Sequence, residues 1–254
     1  MKKIAVIVPI YKNELDALEQ YSLDCSLAAL TGREIFFVGS VELDRHYYFK
    51  RYGSIPFVAF NDACFQTITG YNRLLLSVEF YKQFTHYDFI LILQTDAITL
   101  RDELDLWCGQ PFDYVGAPWP DGYELFVNAG KFEGSNGRRV RATVGNGGLS
   151  LRRVCKCLSL LEEFADIVSF FDRTGSSEDL FFSVMGTLSG DFIIPNEMIA
   201  SRFSLELKPS YYHAINGGRL PMGSHAWWKY EPEFWRPYLK YAPPLLETAF
   251  PKEC

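Results

Sequence analysis

Phe89-Ile-Leu-Ile-Leu-Gln-Thr-Asp96 is a run of five apolar residues that stops on an amide, a hydroxyl and an acid. Because both of its alternating faces are apolar, it suits a strand covered on both sides, as at the centre of a parallel sheet. Asp96 then sits at the strand's carboxyl end, where open α/β sheets bind ligands and a carboxylate can hold a divalent cation against phosphate oxygens. The same acid can also serve only as a cap for the turn that follows.

Working outward, Ile4 to Ile10 is a second run of the same kind. Asn13 to Leu30 carries helical spacing through Leu15, Leu18, Tyr21, Leu23 and Leu27, and Gly32 stops it. Ile35 to Val38 and Pro56 to Phe60 read as strands and Arg73 to Phe84 as a helix. Strand, helix, strand, strand, helix, strand predicts an α/β fold with a mostly parallel central sheet flanked by helices. Beyond Asp96 the spacing predicts a short helix over Leu100 to Cys108, a short strand over Tyr114 to Ala117 and a loop from Asp121 to Arg141. Helices follow over Leu149 to Val168 and Ser177 to Leu188. From Pro209 an aromatic, proline-rich tail wraps the same domain.

The chain has 254 residues, 48% of them hydrophobic, with 21 Phe, 15 Tyr and 5 Trp. That apolar content argues for a packed core, and one large domain can use this length. Twenty-five basic against 31 acidic side chains leave a net charge of −6, so the footprint of a general nucleic-acid binder is missing. The start Met1-Lys2-Lys3 before Ile4 to Ile10 reads as a first strand, since Pro9, Lys12, Asn13 and Glu14 interrupt any signal-peptide pattern. No run approaches a membrane span. The cysteines at 25, 64, 108, 155, 157 and 254 lack zinc or disulfide spacing and read as reduced cytosolic thiols.

Gly145-Asn146-Gly147-Gly148 fails the dinucleotide fingerprint, because Ser150 stands at its third glycine position and no first strand precedes it. Bare backbone there can approach a sugar, with Leu149 onward starting a helix whose N-terminal amides can face an anion, or make a plain tight turn. In Ser176-Ser177-Glu178-Asp179 the acids suit a helix start, with Ser176 and Asp179 approximating a capping box. The same position suits a carboxylate that takes a proton from an attacking hydroxyl. Arg138, Arg139 and Arg141 in the loop, and Arg152 with Arg153 at the start of the following helix, are candidate contacts for a diphosphate or an anionic lipid carrier, with a solvated loop face the alternative for the first cluster. Trp119, Trp227, Trp228 and Trp235 are either a sugar-stacking platform or core.

Together these blocks resemble GT-A glycosyltransferases, whose fold is Rossmann-like. Val6-Ile7-Val8-Pro9-Ile10-Tyr11-Lys12-Asn13-Glu14 is similar to their opening strand and nucleotide loop. Gly70-Tyr71-Asn72-Arg73, a helix and then Phe89 to Asp96 resemble the progression toward their Asp-x-Asp. Leu93 to Ala97 with Asp113 to Trp119, Val144 to Arg152, Ser177-Glu178-Asp179, His225-Ala-Trp227 and Phe234-Trp235 look closest to a poorly characterised family of small glycosyltransferase-like proteins associated with bacterial surface-polysaccharide synthesis.

The resemblance implies one GT-A-like domain over 1–254, with a nucleotide-binding half over 1–100 and an acceptor-side half over 101–254. It implies transfer of a sugar from a nucleotide-sugar donor, a UDP- or dTDP-sugar, to a hydroxyl of a glycan or lipid-linked glycan. Pro9, Tyr11 and Glu14 would border the nucleotide, and Asn72, Arg73, Gln94 and Asp96 the rest of the donor. Trp119, Asn146, Gly147 and Gly148 would line the acceptor side. Asp179, with Glu178 beside it, would be the general base of an inverting displacement. Asp96 and His225 are the metal candidates for Mg²⁺ or Mn²⁺, although Gln94 places an amide where the superfamily has its first carboxylate; a packed histidine is the alternative for His225. The expected location is cytoplasmic, with Phe234-Trp235-Arg236-Pro237-Tyr238 a candidate contact with the inner face of the membrane. A non-catalytic nucleotide- or glycan-binding module on the same fold is the rival reading, and Gln94 is its best support.

Overall fold

The computed structural model of the chain describes residues 2–127 and 137–239. Its first half runs β1 (Ile4–Ile10), α1 (Ala17–Ala29), β2 (Glu34–Ser40), α2 (His46–Tyr52), β3 (Phe57–Phe60), α3 (Ile68–Leu75), α4 (Val78–Lys82), β4 (Phe89–Leu93), β5 (Ala97–Thr99) and α5 (Leu104–Cys108). There follow β6 (Tyr114–Val115), β7 (Ala117–Val127), β8 (Arg138–Gly145), β9 (Leu149–Arg153), α6 (Val154–Glu163), α7 (Ala165–Thr174) and α8 (Glu178–Leu188). The last described elements are α9 (Glu197–Ala200), β10 (Ser204–Leu205), α10 (Pro209–Ile215), β11 (Gly223–His225) and α11 (Pro232–Trp235).

The main sheet has strand order β3-β2-β1-β4-β9-β6. β3, β2, β1 and β4 are parallel, while β9 runs antiparallel to both β4 and β6, so the sheet is mixed. Both apolar runs behave as their composition demands. Ala5, Ile7, Ile90 and Ile92 face one core, and Ile4, Val6, Val8, Ile10, Leu91 and Leu93 face the other. Each buried aliphatic side chain contributes about 1.5–3 kcal/mol of transfer free energy. Chain order reverses between β1 and β4, which creates a crevice at their carboxyl ends.

Two smaller sheets flank this crevice. β10, β11 and β5 form one, β7 and β8 the other. α1 starts at Asp16, whose side chain accepts from the Leu18 and Glu19 amides while the Glu19 side chain accepts from the Asp16 amide.

Several expectations are corrected. Leu149 to Val168 is not one helix: Leu149–Arg153 is the antiparallel strand β9, and α6 and α7 follow separately. A short apolar run next to a helix has no periodicity of its own to separate the two. No helix therefore offers its amides from Leu149, and Arg152 is buried rather than at a helix start. Arg73 to Phe84 divides into α3 and α4 around Ser77, which caps α4. The start of the expected Leu100 to Cys108 helix is irregular, and Ala97–Thr99 before it pairs with β11.

The expected loop Asp121 to Arg141 is largely the β7–β8 ribbon, with residues 128–136 outside the described residues. Leu125, Val127, Val140, Ala142 and Val144 bury one face of it. Arg138, Arg139 and Arg141 are strand residues. Trp227 and Trp235 are fully buried and Trp119 is nearly so, so these indoles serve the core. Cys254 lies outside the described residues, and Cys25, Cys64, Cys108, Cys155 and Cys157 are free thiols. Among the described residues no helix is long and apolar enough to cross a membrane.

Candidate functional site

A cavity of about 540 Å³ opens at the crevice between β1 and β4. β1 delivers Pro9, the loop after it Tyr11, and the turn after β4 Gln94 and Asp96. The two loops are tied together by Glu19, whose buried carboxylate accepts from Thr95 Oγ1 at 3.1 Å and Lys12 Nζ at 2.7 Å. The capping-box acid of α1 thereby also fixes the floor of the site.

His225 reaches Asp96 through strand register. β11 pairs antiparallel with β5 so that His225 lies opposite Ala97, and the Ala226 amide donates to the Asp96 carbonyl at 3.0 Å. His225 Nε2 comes within 3.2 Å of Asp96 Oδ1, and Nδ1 within 3.4 Å of Glu206 Oε1. Burial disfavours a charged imidazole, but the two carboxylates outweigh it and lift His225 to about 10. Burial likewise opposes ionisation of Asp96, and His225 overcomes it, holding that carboxyl below its usual range.

On the opposite wall, Asn146 adopts a left-handed backbone at φ 66°, which Asn tolerates better than most residues. The turn directs the Asn146 amide onto Asp179 Oδ2 at 2.9 Å and its side-chain amide onto Glu206 Oε2. Asp179 Oδ1 accepts from the Leu180 amide at 2.8 Å. The expected capping box is absent: Ser177 is the cap of α8 and makes no side-chain bond, so Asp179 is aimed at the turn before β9 instead.

The two glycines here are steric requirements. A Cβ on Gly147 would overlap Glu178 Oε1, and one on Gly148 would overlap the His225 ring. Glu178 is committed to Arg152, which donates from Nη2 at 3.0 Å with both side chains excluded from solvent. Arg152 also donates to Tyr81 and Ser150, and its guanidinium lies 5.4 Å and 5.2 Å from the Tyr114 and Phe182 ring centres.

The cavity thus brings together Pro9, Tyr11, Asn72, Gln94, Asp96, Asn146, Gly147, Gly148, Glu178, Asp179 and His225. Glu14, Arg73 and Trp119 are not among its lining residues. Arg73 pairs with Asp172 on the surface. Trp119 packs over Gly145 and against the Tyr123 ring. Phe65, Gln66, Thr67, Ile68 and Glu206 line the cavity without having been singled out in the sequence. Thr67 had a local signal, since its hydroxyl caps α3 by accepting from the Gly70 amide. Glu206 had none.

Among the described residues, no group of three or more His, Cys, Asp or Glu side chains is arranged to hold a metal ion. Asp96 and His225 are two donors facing one cavity. Asp96 can ligate as it stands, His225 only after losing its proton, so they fit a cation most of whose positions come from elsewhere, as the oxygens of a diphosphate would supply.

Three solved structures resemble this arrangement of strands and helices. The galactosyltransferase LgtC, in complex with donor and acceptor sugar analogs, is 16% identical over 97% of this chain and 100% of its own, with a TM-score of 0.52. Mouse xyloside xylosyltransferase 1 is 12% identical over 88% of this chain and 97% of its own, at 0.50. The glycosyltransferase GlyE of Streptococcus pneumoniae TIGR4 is 14% identical; the match spans 99% of this chain and 64% of GlyE, at 0.51. At such identities the likeness shows a GT-A fold. No curated protein matches by sequence. A family model matches residues 54–225, a span that includes Asp96, Asp179, Glu206 and His225, and this chain therefore belongs to the family described as "Protein of unknown function (DUF5672)".

Proposed function

We propose that this protein is a glycosyltransferase that moves a sugar from a UDP- or dTDP-sugar to a hydroxyl of a glycan or lipid-linked glycan. In this reading it works in bacterial surface-polysaccharide synthesis, at the cytoplasmic face of the membrane. The observation that carries it is that Asp96 and Asp179 line one cavity at the sheet's switch point, each with its carboxylate held in place. Likeness in fold to three glycosyltransferases supports it.

Asp179 is the general base. Its two oxygens accept one backbone amide each, which fixes the carboxylate and leaves lone pairs for a substrate hydroxyl. The acceptor oxygen loses its proton to Asp179 as it attacks the anomeric carbon; the bond to the donor's diphosphate breaks, and the configuration inverts. Asn146, Gly147 and Gly148 present backbone to the acceptor. Pro9 and Tyr11 border the nucleotide, with Asn72 and Gln94 as neutral partners for hydroxyls. Asp96, with His225 once its ring has lost a proton, would hold Mg²⁺ or Mn²⁺ together with the donor's phosphates, and such an ion when bound would neutralise charge on the leaving diphosphate.

The test is incubation with a panel of sugar nucleotides, reading release of the nucleoside diphosphate with and without glycan acceptors. Slow hydrolysis without acceptor and faster release with one supports transfer. Saturable binding with no donor breakdown under any condition would leave the non-catalytic module, the reading that Gln94 favours.

A further inference from the structure

We propose that Glu206 is a positioning residue of this cavity: it orients the His225 ring through one carboxylate oxygen, anchors Asn146 through the other, and so sets the spacing between Asp96 and Asp179. The proposal gives Glu206 a part in the glycosyl transfer read above, and its physical core stands on the geometry alone.

Glu206 follows β10 directly. β10 pairs parallel with β11 so that Leu205 lies beside Ser224, and Ser224 Oγ donates to the Leu205 carbonyl at 2.7 Å. The residues that come next, Glu206 just past β10 and His225 at the end of β11, are therefore brought side by side by register. Glu206 Oε1 faces Nδ1 at 3.4 Å, and Asp96 Oδ1 faces Nε2 at 3.2 Å. A ring flip would turn carbon atoms toward both carboxylates. Gly148 bounds the ring so closely that even a Cβ would collide with it, which leaves little room for another rotamer.

The second oxygen of Glu206 accepts from the Asn146 side-chain amide, and Asn146 Oδ1 accepts from the Gly148 amide at 3.2 Å. Asn146 then holds Asp179 through its own backbone N–H. A continuous chain of contacts thus runs Asp96, His225, Glu206, Asn146, Asp179, with Glu206 its middle member, beside the backbone bond from the Gln94 amide to the Gly148 carbonyl. Carboxylates behind a metal-ligating imidazole commonly fix the direction of its ring, and losing them costs about 10- to 100-fold in affinity or activity.

The test uses protein labelled with ¹⁵N-histidine, since the chain has only 4 His. His225 ring-nitrogen signals are assigned by their loss in His225→Asn. In Glu206→Gln and Glu206→Ala we expect those signals to move while those of His46, His86 and His213 stay, with native circular dichroism. Turnover should fall by about 10- to 100-fold with donor KM changed less than about threefold, because geometry and not uniform binding is lost. Glu206→Asp, and formate added to Glu206→Ala, should restore part of both. Unmoved His225 signals in a folded Glu206→Ala protein would overturn the positioning role. If the parent protein turns over no sugar nucleotide, the transferase reading falls instead, and the ring signals still decide what Glu206 does.

Discussion

Arg152 Nη2 donates to Glu178 Oε1 at 3.0 Å inside a shell from which water is excluded, directly beneath the glycine turn of the cavity. The pair connects β9 to the first turn of α8, so it fixes where Asp179 emerges. A buried pair need not add net stability, yet removing one partner strands the other charge. Arg152→Met should cost about 3–5 kcal/mol in urea denaturation, and Arg152→Met combined with Glu178→Leu should recover a large part of it. A single variant within about 1 kcal/mol of the parent would mean that the interior there is wetter than the geometry implies.

His225 makes stability depend on pH in a definite direction. Its folded value, about 10, lies above the ordinary 6.5. A raised value stabilises the folded state fully below about 6.5, and that contribution disappears as pH climbs through about 10. Thermal melts from pH 6 to pH 10 should therefore show the gap between the parent and His225→Gln at its widest near pH 6 and closing toward pH 10. A gap that widens with pH would reverse the assignment of charge to this ring.

Cation binding should follow the same proton. With Asp96 the one donor of the pair while the His225 imidazole holds its proton, Mg²⁺ or Mn²⁺ should bind the free protein weakly and bind more tightly once a nucleoside diphosphate contributes its oxygens. Titration calorimetry with and without UDP checks this, and affinity measured with UDP should rise between pH 7 and pH 9. Tight binding to the free protein, independent of pH, would contradict it.

Part of the fold and of the site is legible in the sequence alone. Ile4–Ile10 and Phe89–Leu93 announce themselves because a strand buried on both faces needs an uninterrupted apolar run, and Asp96 follows from where that run ends. Leu149–Arg153 has similar content but abuts a helical sequence, and only the vacant place between β4 and β6 decides that it is a strand. That one decision also converts Arg152 from a surface cation into a buried one. Gly147 and Gly148 were visible as a motif, whereas their reason, the Glu178 carboxylate and the His225 ring pressed against them, is tertiary. Glu206 was invisible for the same cause: a single acid after a two-residue strand has no local pattern, and its partners lie 19 and 60 residues away in sequence.

Asp179 offers the sharpest separation between structure and catalysis. Its carboxylate accepts the Asn146 and Leu180 amides, so as a structural group it is worth two hydrogen bonds and a favourable charge near the start of α8. Asp179→Asn keeps the shape but offers only one carbonyl oxygen, so one amide loses its acceptor; the expected cost is about 1 kcal/mol, seen as a modest fall in melting temperature. Loss of a general base is a much larger effect on rate, typically about 10² to 10⁴. We therefore expect kcat to fall by at least about a hundredfold while the dissociation constant for the donor stays close to the parental one. Near-parental kcat in Asp179→Asn would leave this carboxylate a tether for Asn146. Retention of the donor's anomeric configuration, read by NMR in the product, would rule out single displacement even if the variant were inactive.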